Sequence, residues 1–227
     1  IFLKMDGENV ANFFTETQRQ LQREFQSEKL ADRIVEATLT GTLSDEQSKF
    51  IDRMNMFFLA TVDENGFPSS SYKGGERGFV RVLSPTKIVF PNYDGNGMFL
   101  SMGNVEASIK VGLLFVDFEI PQRIRVRGEA TCLREGSILK SYPGANLVVE
   151  VNITDVWVNC PRYIHPMQTT EPSPYLPNHQ GESPLALWKR VDLLQDVLSN
   201  DDRKKAQELG LITIEDYELK VSEGILV

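Results

Sequence analysis

Residues 57–74 read FFLATVDENGFPSSSYKG, and this stretch decides the class of fold. Its first six residues are mostly apolar, β-branched or aromatic, which is typical of a β-strand. Asp63-Glu64-Asn65-Gly66 follows as a hairpin turn, because glycine accepts the positive φ that such turns require. The polar run after the turn ends at two adjacent glycines and also lies on a strand. The stretch therefore predicts antiparallel β structure.

The same pattern continues along the chain as further strand-like runs. Residues 111–118 are apolar on both faces, so we expect a central strand there. Residues 97–105 lie between the third and fourth strands and predict one short helix. About six antiparallel strands at close spacing, with few helices, indicate a β-barrel. The predicted strands cover residues 57–62, 79–83, 87–90, 111–118, 122–131 and 147–158.

Helices are predicted on the amino-terminal side of this β region. Phe14, Leu21 and Phe25 recur at helical spacing, and the apolar stripe continues to Ile34. Ser44-Asp45-Glu46-Gln47 has the form of a capping box, in which serine and glutamine side chains accept hydrogen bonds from free amides at the helix start. We expect these helices to cover the core rather than to carry chemistry.

The carboxyl-terminal side divides into an extended passage and helices. Five prolines between residues 166 and 184 predict a passage without helix, because proline has no N–H to donate. Apolar residues at helical spacing over 185–197 predict an amphipathic helix, and residues 202–209 predict a second. The sequence thus indicates a mainly β protein with helical additions, divided into residues 1–55, 56–167 and 168–227.

The composition argues against several classes of function. The net charge is −8 with a pI near 4.9, which does not suit a general nucleic-acid binder. No apolar run reaches about 18 residues and the amino end lacks the pattern of a signal peptide, so we expect a cytoplasmic protein without a membrane span. Two cysteines and two histidines are too few for a disulfide framework or a zinc cluster. Cys160 and His165 lie five residues apart, but no basic motif surrounds the thiol, so we expect no catalytic cysteine.

Three groups of residues are candidates for a ligand site. Lys73 stands beside two glycines that allow close approach to the backbone, although a glycine bulge with solvated charge has the same pattern. Residues 90–98 run from a strand end through a Gly-Asn-Gly loop towards a helix start, which is typical of an anion site and also of an ordinary loop. The third group consists of Arg123, Arg125 and Arg127, which alternate with apolar residues, so their guanidinium groups share one face of a strand. That face either binds phosphate or is simply solvated.

Taken in order, the motifs resemble those of the pyridoxamine 5'-phosphate oxidase-related FMN-binding split-barrel family, in a subgroup with extra helices at both ends. Each motif is short, and their common order carries the resemblance, which covers residues of about 50–167. The motifs are FLATVD at 58–63, G-x-P at 66–68, SYKGG at 71–75, GFVRV at 78–82, FP at 90–91, DGNGM at 94–98, GN at 103–104, VGLLF at 111–115, DFE at 117–119 and NCPRYIH at 159–165.

The resemblance implies a six-stranded antiparallel FMN-binding split barrel with N- and C-terminal helical extensions. It also implies a homodimer with FMN near the subunit interface, and we expect residues 111–118 at or beside that interface. Main-chain contacts to the flavin ring map to Gly78, Phe79, Val80 and Arg81. The ribityl-phosphate arm maps to Pro91, Asn92, Tyr93, Asn96, Gly97 and Met98. The closing segment approaches the flavin of the partner subunit through Asn159 and Arg162.

The chain departs from the family where the phosphate binds. The oxidases have a serine followed by two basic residues at a helix start, and this chain has Asn96-Gly97-Met98 there. Backbone amides at that helix start, or a cation from a strand, must then meet the phosphate charge, and the order of preference is Arg81, Lys73 and Arg125. A deazaflavin or haem is an alternative ligand, although the middle strands contain no histidine to bind iron.

The function that the resemblance implies is a homodimeric FMN-binding oxidoreductase. The flavin transfers hydride or electrons to or from an unknown small-molecule substrate. The closing segment is shorter and less basic than that of the oxidase, so we do not expect oxidation of pyridoxamine phosphate itself. The alternative is a non-catalytic flavin or deazaflavin carrier or sensor that acts through a protein partner, using the proline-rich passage and the terminal helices.

Overall fold

The computed structural model describes residues 13–225 of the chain. The described chain divides into two compact units, one with residues 13–140 and 145–168, and the other with residues 141–144 and 169–225. The interpretation that the amino end lacks a signal peptide concerns residues 1–12, which lie outside the described residues. No helix in the described part is long and apolar enough to cross a membrane.

The first unit is built on one antiparallel sheet of seven strands rather than six. The strand that the count of six leaves out is the polar run after the hairpin turn, which the sequence also indicates as a strand and which pairs with the first strand along its whole length. Polar side chains do not prevent this pairing, because the ladder bonds join backbone groups. The strands are β1 (Met56–Val62), β2 (Pro68–Gly74), β3 (Arg81–Ser84), β4 (Lys87–Tyr93), β5 (Lys110–Asp117), β6 (Gln122–Leu133) and β7 (Ala145–Val158).

The sheet is open, since its order is β2-β1-β5-β6-β7-β4-β3 and no pairing in the described chain joins the edge strands β2 and β3. The expectation of a six-stranded barrel is therefore corrected to an open seven-stranded sheet. The prediction of a central strand over 111–118 is confirmed, because β5 pairs with β1 on one side and β6 on the other. The rings of Phe57, Phe90 and Phe115 are fully buried and meet at centroid distances of 4.9 and 5.2 Å, so the core lies against the middle of the sheet.

The described residues of the first unit form five helices: α1 (Glu16–Glu24), α2 (Glu28–Thr38), α3 (Asp45–Asp52), α4 (Leu100–Ser108) and α5 (Ser137–Lys140). The capping box at the start of α3 is confirmed, with reciprocal bonds between Ser44 and Gln47. Val35 and Leu39 pack with Trp157 of β7, while Phe50 and Ile51 enter the main core. Helices α2 and α3 thus cover part of the sheet, as expected, but not through the predicted apolar stripe, because Leu21, Phe25 and Ile34 are exposed and α1 buries no residue.

The helix expected over 97–105 begins at Leu100 instead. Gly97 and Phe99 have φ values of +75° and +50°, and neither backbone conformation belongs to a right-handed helix. The loop after β4 therefore extends three residues further than the sequence indicates, and the prediction that Asn96 and Gly97 provide the first amides of the helix is wrong.

The second unit contains α6 (Asn200–Leu209) and α7 (Ile214–Ser222). The second predicted helix is confirmed within α6, and residues 166–184 contain no helix, as expected. The amphipathic helix over 185–197 is wrong, because two short 3-10 helices, Leu187–Arg190 and Asp192–Leu194, occupy this stretch. Val191 between them is extended and forms a backbone bridge with Ile212, and this tertiary pairing overrides the helical periodicity.

Candidate cofactor site

A cavity of about 440 Å³ lies beside the edge strand β2, within the range of small-molecule sites. One wall is residues 69–74 of β2, and the other runs from the end of β4 through the loop into the first turn of α4, residues 91–102. Both walls belong to the first unit. The fold thus combines two of the sequence-derived candidates, the Lys73 strand and the glycine loop, in one cavity.

The register of the hairpin decides which side chains of β2 turn towards the core. Ser71 and Lys73 lie opposite Leu59 and Phe57, whose side chains are buried, and directly opposed residues share a face of the sheet. The hydroxyls of Ser71 and Ser101 are 3.0 Å apart, so β2 is joined to α4 across the cavity. On the other side of the helix, the side-chain amide of Asn104 in α4 donates a hydrogen bond of 3.0 Å to the hydroxyl of the buried Thr61 in β1.

Lys73 is the cation of this cavity. Its side chain is half-buried, and among the described residues it makes neither an ion pair nor a side-chain hydrogen bond. Burial lowers the pKa of the Lys73 ammonium, because water no longer solvates the charge fully. Since Lys73 forms no ion pair among the described residues, its desolvated ammonium gains from an anion that enters the cavity.

The loop side of the cavity offers backbone amides. The side-chain carbonyl of Asn96 accepts a hydrogen bond of 3.1 Å from the amide of Met98, so that donor is already used. Phe99 precedes α4 and has no side-chain group to cap it, which leaves the first amides of the helix without a side-chain acceptor. These amides belong to residues 100–102, which line the cavity. The helix start therefore adds a partial positive charge near Lys73.

Tyr93 lines the cavity and lies within electrostatic range of two charged residues, Glu76 and Arg81. Burial raises the pKa of the Tyr93 hydroxyl, and the negative charge of Glu76 raises it further, while Arg81 acts in the opposite direction. Arg81 thus lies within electrostatic range of Tyr93 but does not line the cavity. Phe79 and Val80 fill the core, so only their backbones are available for the flavin contact expected from the sequence.

Other sequence-derived residues lie elsewhere. Arg125 lines a separate cavity of about 280 Å³ on the outer face of the sheet, next to Arg127, which sits over the rings of Phe13 and Trp157 at 4.8 Å from each. The predicted residues that share the cavity beside β2 are Lys73, Pro91, Asn92, Tyr93, Asn96, Gly97 and Met98. Those that line neither cavity are Gly78, Phe79, Val80, Arg81, Asn159 and Arg162.

Sequence reasoning missed part of the lining, and one of its statements about Cys160 is wrong. The lining residues that neither candidate group contained are Phe99, Leu100, Ser101 and Met102. Seven others lay within those groups without being assigned to the cofactor: Ser69, Ser70, Ser71, Tyr72, Gly74, Asp94 and Gly95. For the β2 residues the hairpin register was the available signal, since the turn at 63–66 defines which residues face Phe57 and Leu59. Hydrogen bonds from Arg162 lower the pKa of the exposed Cys160 thiol, so the expectation that no basic group acts on this thiol is wrong.

The family of the chain follows from its sequence profile. Residues 43–160 match the profile of the pyridoxamine 5'-phosphate oxidase family, which spans the sheet and the cavity described above. The chain belongs to this family. The resemblance inferred from the ordered motifs is thereby confirmed. A search of curated proteins found no match.

Solved structures that match part of the chain were also found. A putative pyridoxamine 5'-phosphate oxidase from Lactobacillus delbrueckii is 27% identical, covering 52% of this chain and 95% of that chain with a TM-score of 0.43. HupZ from Group A Streptococcus is 18% identical, covering 51% and 93% with a TM-score of 0.44. An FMN-binding protein from Syntrophomonas wolfei is 16% identical, covering 64% and 96% with a TM-score of 0.37.

Proposed function

We propose that the protein is an FMN-binding oxidoreductase acting on a small-molecule substrate. The single observation that carries the proposal is the 440 Å³ cavity with uncapped helix amides on one wall and, on the other, a half-buried Lys73 that forms no ion pair among the described residues. A phosphate needs charged or N–H donors in place of water, and this cavity supplies both. Bound FMN supplies hydride or electron transfer, while the protein binds, orients and shields it.

Each wall has a separate part in holding the cofactor. Lys73 and the amides of residues 100–102 hold the phosphate, and the polar backbone of β2 faces the flavin ring. Met98 and Phe99 are exposed apolar side chains on the loop and provide surface for an aromatic group. The contacts expected from the sequence for Gly78, Arg81, Asn159 and Arg162 remain part of the proposal, the last two towards the flavin of the partner subunit.

The test is a titration of the purified full chain with FMN. We expect quenching of flavin fluorescence and a visible absorption spectrum that shifts on binding. Protein that leaves both signals unchanged contradicts the cofactor assignment. A turnover screen with electron donors and acceptors then separates an oxidoreductase, which reduces or reoxidises its bound flavin, from a carrier, which does not.

We also propose that two chains pair through the outer face of β1 and β5. Phe58 and Leu114 are half-buried on this face, beside the shallow cavity that Arg125 and Trp157 also line. The side chains of Val111, Leu113 and Phe115 point into the core, so only the alternate residues of β5 are available for the interface expected there.

Leu114→Glu is expected to convert the dimer to a monomer, because an unpaired carboxylate is costly to bury. Light scattering at micromolar concentration measures the mass. Leu219→Glu, at an exposed position on α7 in the second unit, is the matched control and should leave the mass unchanged. A wild-type chain that is monomeric with FMN bound contradicts the shared-site arrangement.

A flavin carrier or sensor that acts through a protein partner is the second candidate. It is favoured by large apolar side chains that the second unit leaves exposed, because exposed apolar surface is available for contact with a partner protein. The most exposed of these are Leu193, Val197, Leu209 and Leu219. Retained FMN binding without turnover supports this candidate over the oxidoreductase.

A further inference from the structure

A second cavity, of about 450 Å³, adjoins the candidate cofactor cavity in the first unit. Phe99 and Met102 line both cavities, so the two share a wall. The remaining lining comes from α4, from the residue after β6 and from the start of β7: Gly103, Glu106, Arg134, Asn146 and Leu147. None of the residues predicted from the sequence to hold the cofactor lines this second cavity.

The shape of the cavity depends on Gly103. A Cβ atom added there meets no atom within 4 Å, so the space beside the helix is open. Glycine in a helix interior costs about 1 kcal/mol relative to alanine, so α4 is weakened at the position where a side chain would occupy the cavity. Asn104, the next residue, points instead to Thr61 of β1.

Phe99 forms the wall between the cavities in a backbone conformation that is unfavourable for it. Its φ of +50° lies in the left-handed region, which costs a residue with a bulky side chain of order 1 kcal/mol or more. The ring is nevertheless 54% exposed rather than packed in the core. The strain therefore positions an aromatic surface between the two cavities instead of burying it.

The polar side chains of the second cavity are the carboxylate of Glu106 and two hydrogen-bond donors, the guanidinium of Arg134 and the amide of Asn146. The Arg134 guanidinium donates a hydrogen bond to Glu106, and both side chains are substantially exposed, at 62% and 45%. An exposed pair of this kind is weak, so a ligand carboxylate can replace Glu106 as the partner of Arg134. Asn146 accepts a bond of 2.9 Å from Asn92, which leaves its amide hydrogens without a protein acceptor in the described chain.

We propose that this second cavity binds a small aromatic carboxylate. The carboxylate takes Arg134 from Glu106 and accepts from the Asn146 amide, while the ring contacts Phe99, Met102 and Leu147. Because the cavity adjoins the proposed flavin site, an aromatic carboxylate is also the substrate class that we infer, and this last step rests on the proposed function.

The test uses 2-naphthoate as the probe and 2-naphthamide, which has no charge, as its analogue, titrated calorimetrically against the full chain. Loss of a charge-assisted bond corresponds to about a tenfold or larger difference, so 2-naphthoate should bind at least about tenfold more tightly than 2-naphthamide. Arg134→Gln should remove this difference. Glu106→Gln should tighten 2-naphthoate about two- to fivefold, because it removes the competing carboxylate.

Gly103→Leu tests the cavity itself. It should abolish binding of 2-naphthoate by filling the space beside α4, while Ala107→Leu, an exposed position on the same helix outside the cavity, should bind like wild type. Circular dichroism establishes that both variants are folded. Glu106→Gln provides an independent check, because it should increase the affinity for 2-naphthoate whereas Gly103→Leu should abolish it. Equal binding of the two probes, or unchanged binding in Gly103→Leu, overturns the inference.

An FMN titration of the same proteins separates this inference from the proposed function. Gly103 and Arg134 do not line the cofactor cavity, so both variants should bind FMN as the wild type does. If FMN binds and 2-naphthoate does not, the second-cavity inference fails alone. If 2-naphthoate binds as expected and FMN does not, the carboxylate site is supported and the assignments as flavoprotein and as substrate site fail.

Discussion

Lys73→Met should weaken FMN binding about 10- to 100-fold and leave riboflavin binding nearly unchanged. A hydrogen bond to a charged group contributes roughly 1.5–3 kcal/mol, and each 1.4 kcal/mol is a factor of ten in affinity. Methionine keeps the length and the apolar stem of lysine, so the half-buried position remains filled. Riboflavin has no phosphate and therefore does not use the ammonium. Fluorescence titration of both ligands against both proteins measures the effect.

Arg81→Ala is the matched control for this experiment. The sequence favours Arg81 as the phosphate ligand, whereas in the structure Lys73 lines the cavity and Arg81 lies near Tyr93 outside it. If Lys73 holds the phosphate, Arg81→Ala changes the ratio of FMN to riboflavin affinity much less than Lys73→Met. If Lys73→Met weakens riboflavin as strongly as FMN, Lys73 contacts the ring or supports the fold, and the phosphate role is wrong.

The pH dependence of the same titration has a defined sign. Burial lowers the pKa of Lys73, so the free protein loses this ammonium at a lower pH than an exposed lysine would. The FMN phosphate gains its second negative charge as the pH rises through about 6, so the affinity for FMN should increase over that range. Wild-type affinity should therefore fall again as the pH rises through the lowered pKa of Lys73. Lys73→Met should lack this alkaline fall.

Gly128→Ala should destabilise the first unit by about 3 kcal/mol, near the upper end for overpacking a buried position. An added Cβ would clash with the backbone carbonyl oxygen of Asn152 and lie 2.6 Å from Cγ1 of Val151. The register of β6 and β7 shifts between Arg127 and Gly128, so the backbones approach closely at this irregularity. A backbone atom cannot move aside as a flexible side chain can.

Urea unfolding followed by Trp157 fluorescence in a Trp188→Phe background measures this loss, because Trp157 reports on the first unit. Gly112→Ala is the matched control in the same sheet. Its added Cβ would lie 3.7 Å from the Cβ of Ala60, an ordinary contact, so the free energy of unfolding should change by less than about 0.5 kcal/mol. Equal stability of the two variants would show that the strands separate without cost at Gly128.

Local patterns identified most of the secondary structure because they depend on neighbours in sequence. The apolar run at 57–62, the capping box at Ser44 and the strand over 111–118 all appear in the structure where the pattern places them. The stretch 185–197 shows the limit of such patterns. Its helical spacing is real, but the pairing of Val191 with Ile212, 21 residues away, decides the backbone.

The candidate site was predictable in part for the same reason. Lys73 and the glycine loop stand out in the sequence, since a cation beside glycines and a strand-to-helix loop are local features. Their meeting in one cavity is not local, because Gly74 at the end of one wall and Pro91 at the start of the other are 17 positions apart in the sequence. The left-handed backbone at Phe99, which moves the start of α4 to Leu100, has no sequence signal comparable to a glycine.

The sequence by itself determined the hairpin, the alternation of β6 and the family, because period-two patterning, turn chemistry and motif order are properties of the chain alone. Tertiary structure decided the charge environment. Lys73 is desolvated only because β2 pairs with β1 in the register that turns it towards the core, and Arg134 meets Glu106 only because α4 packs beside β6. Burial and ion pairing are set by groups distant in sequence, so no local pattern encodes them.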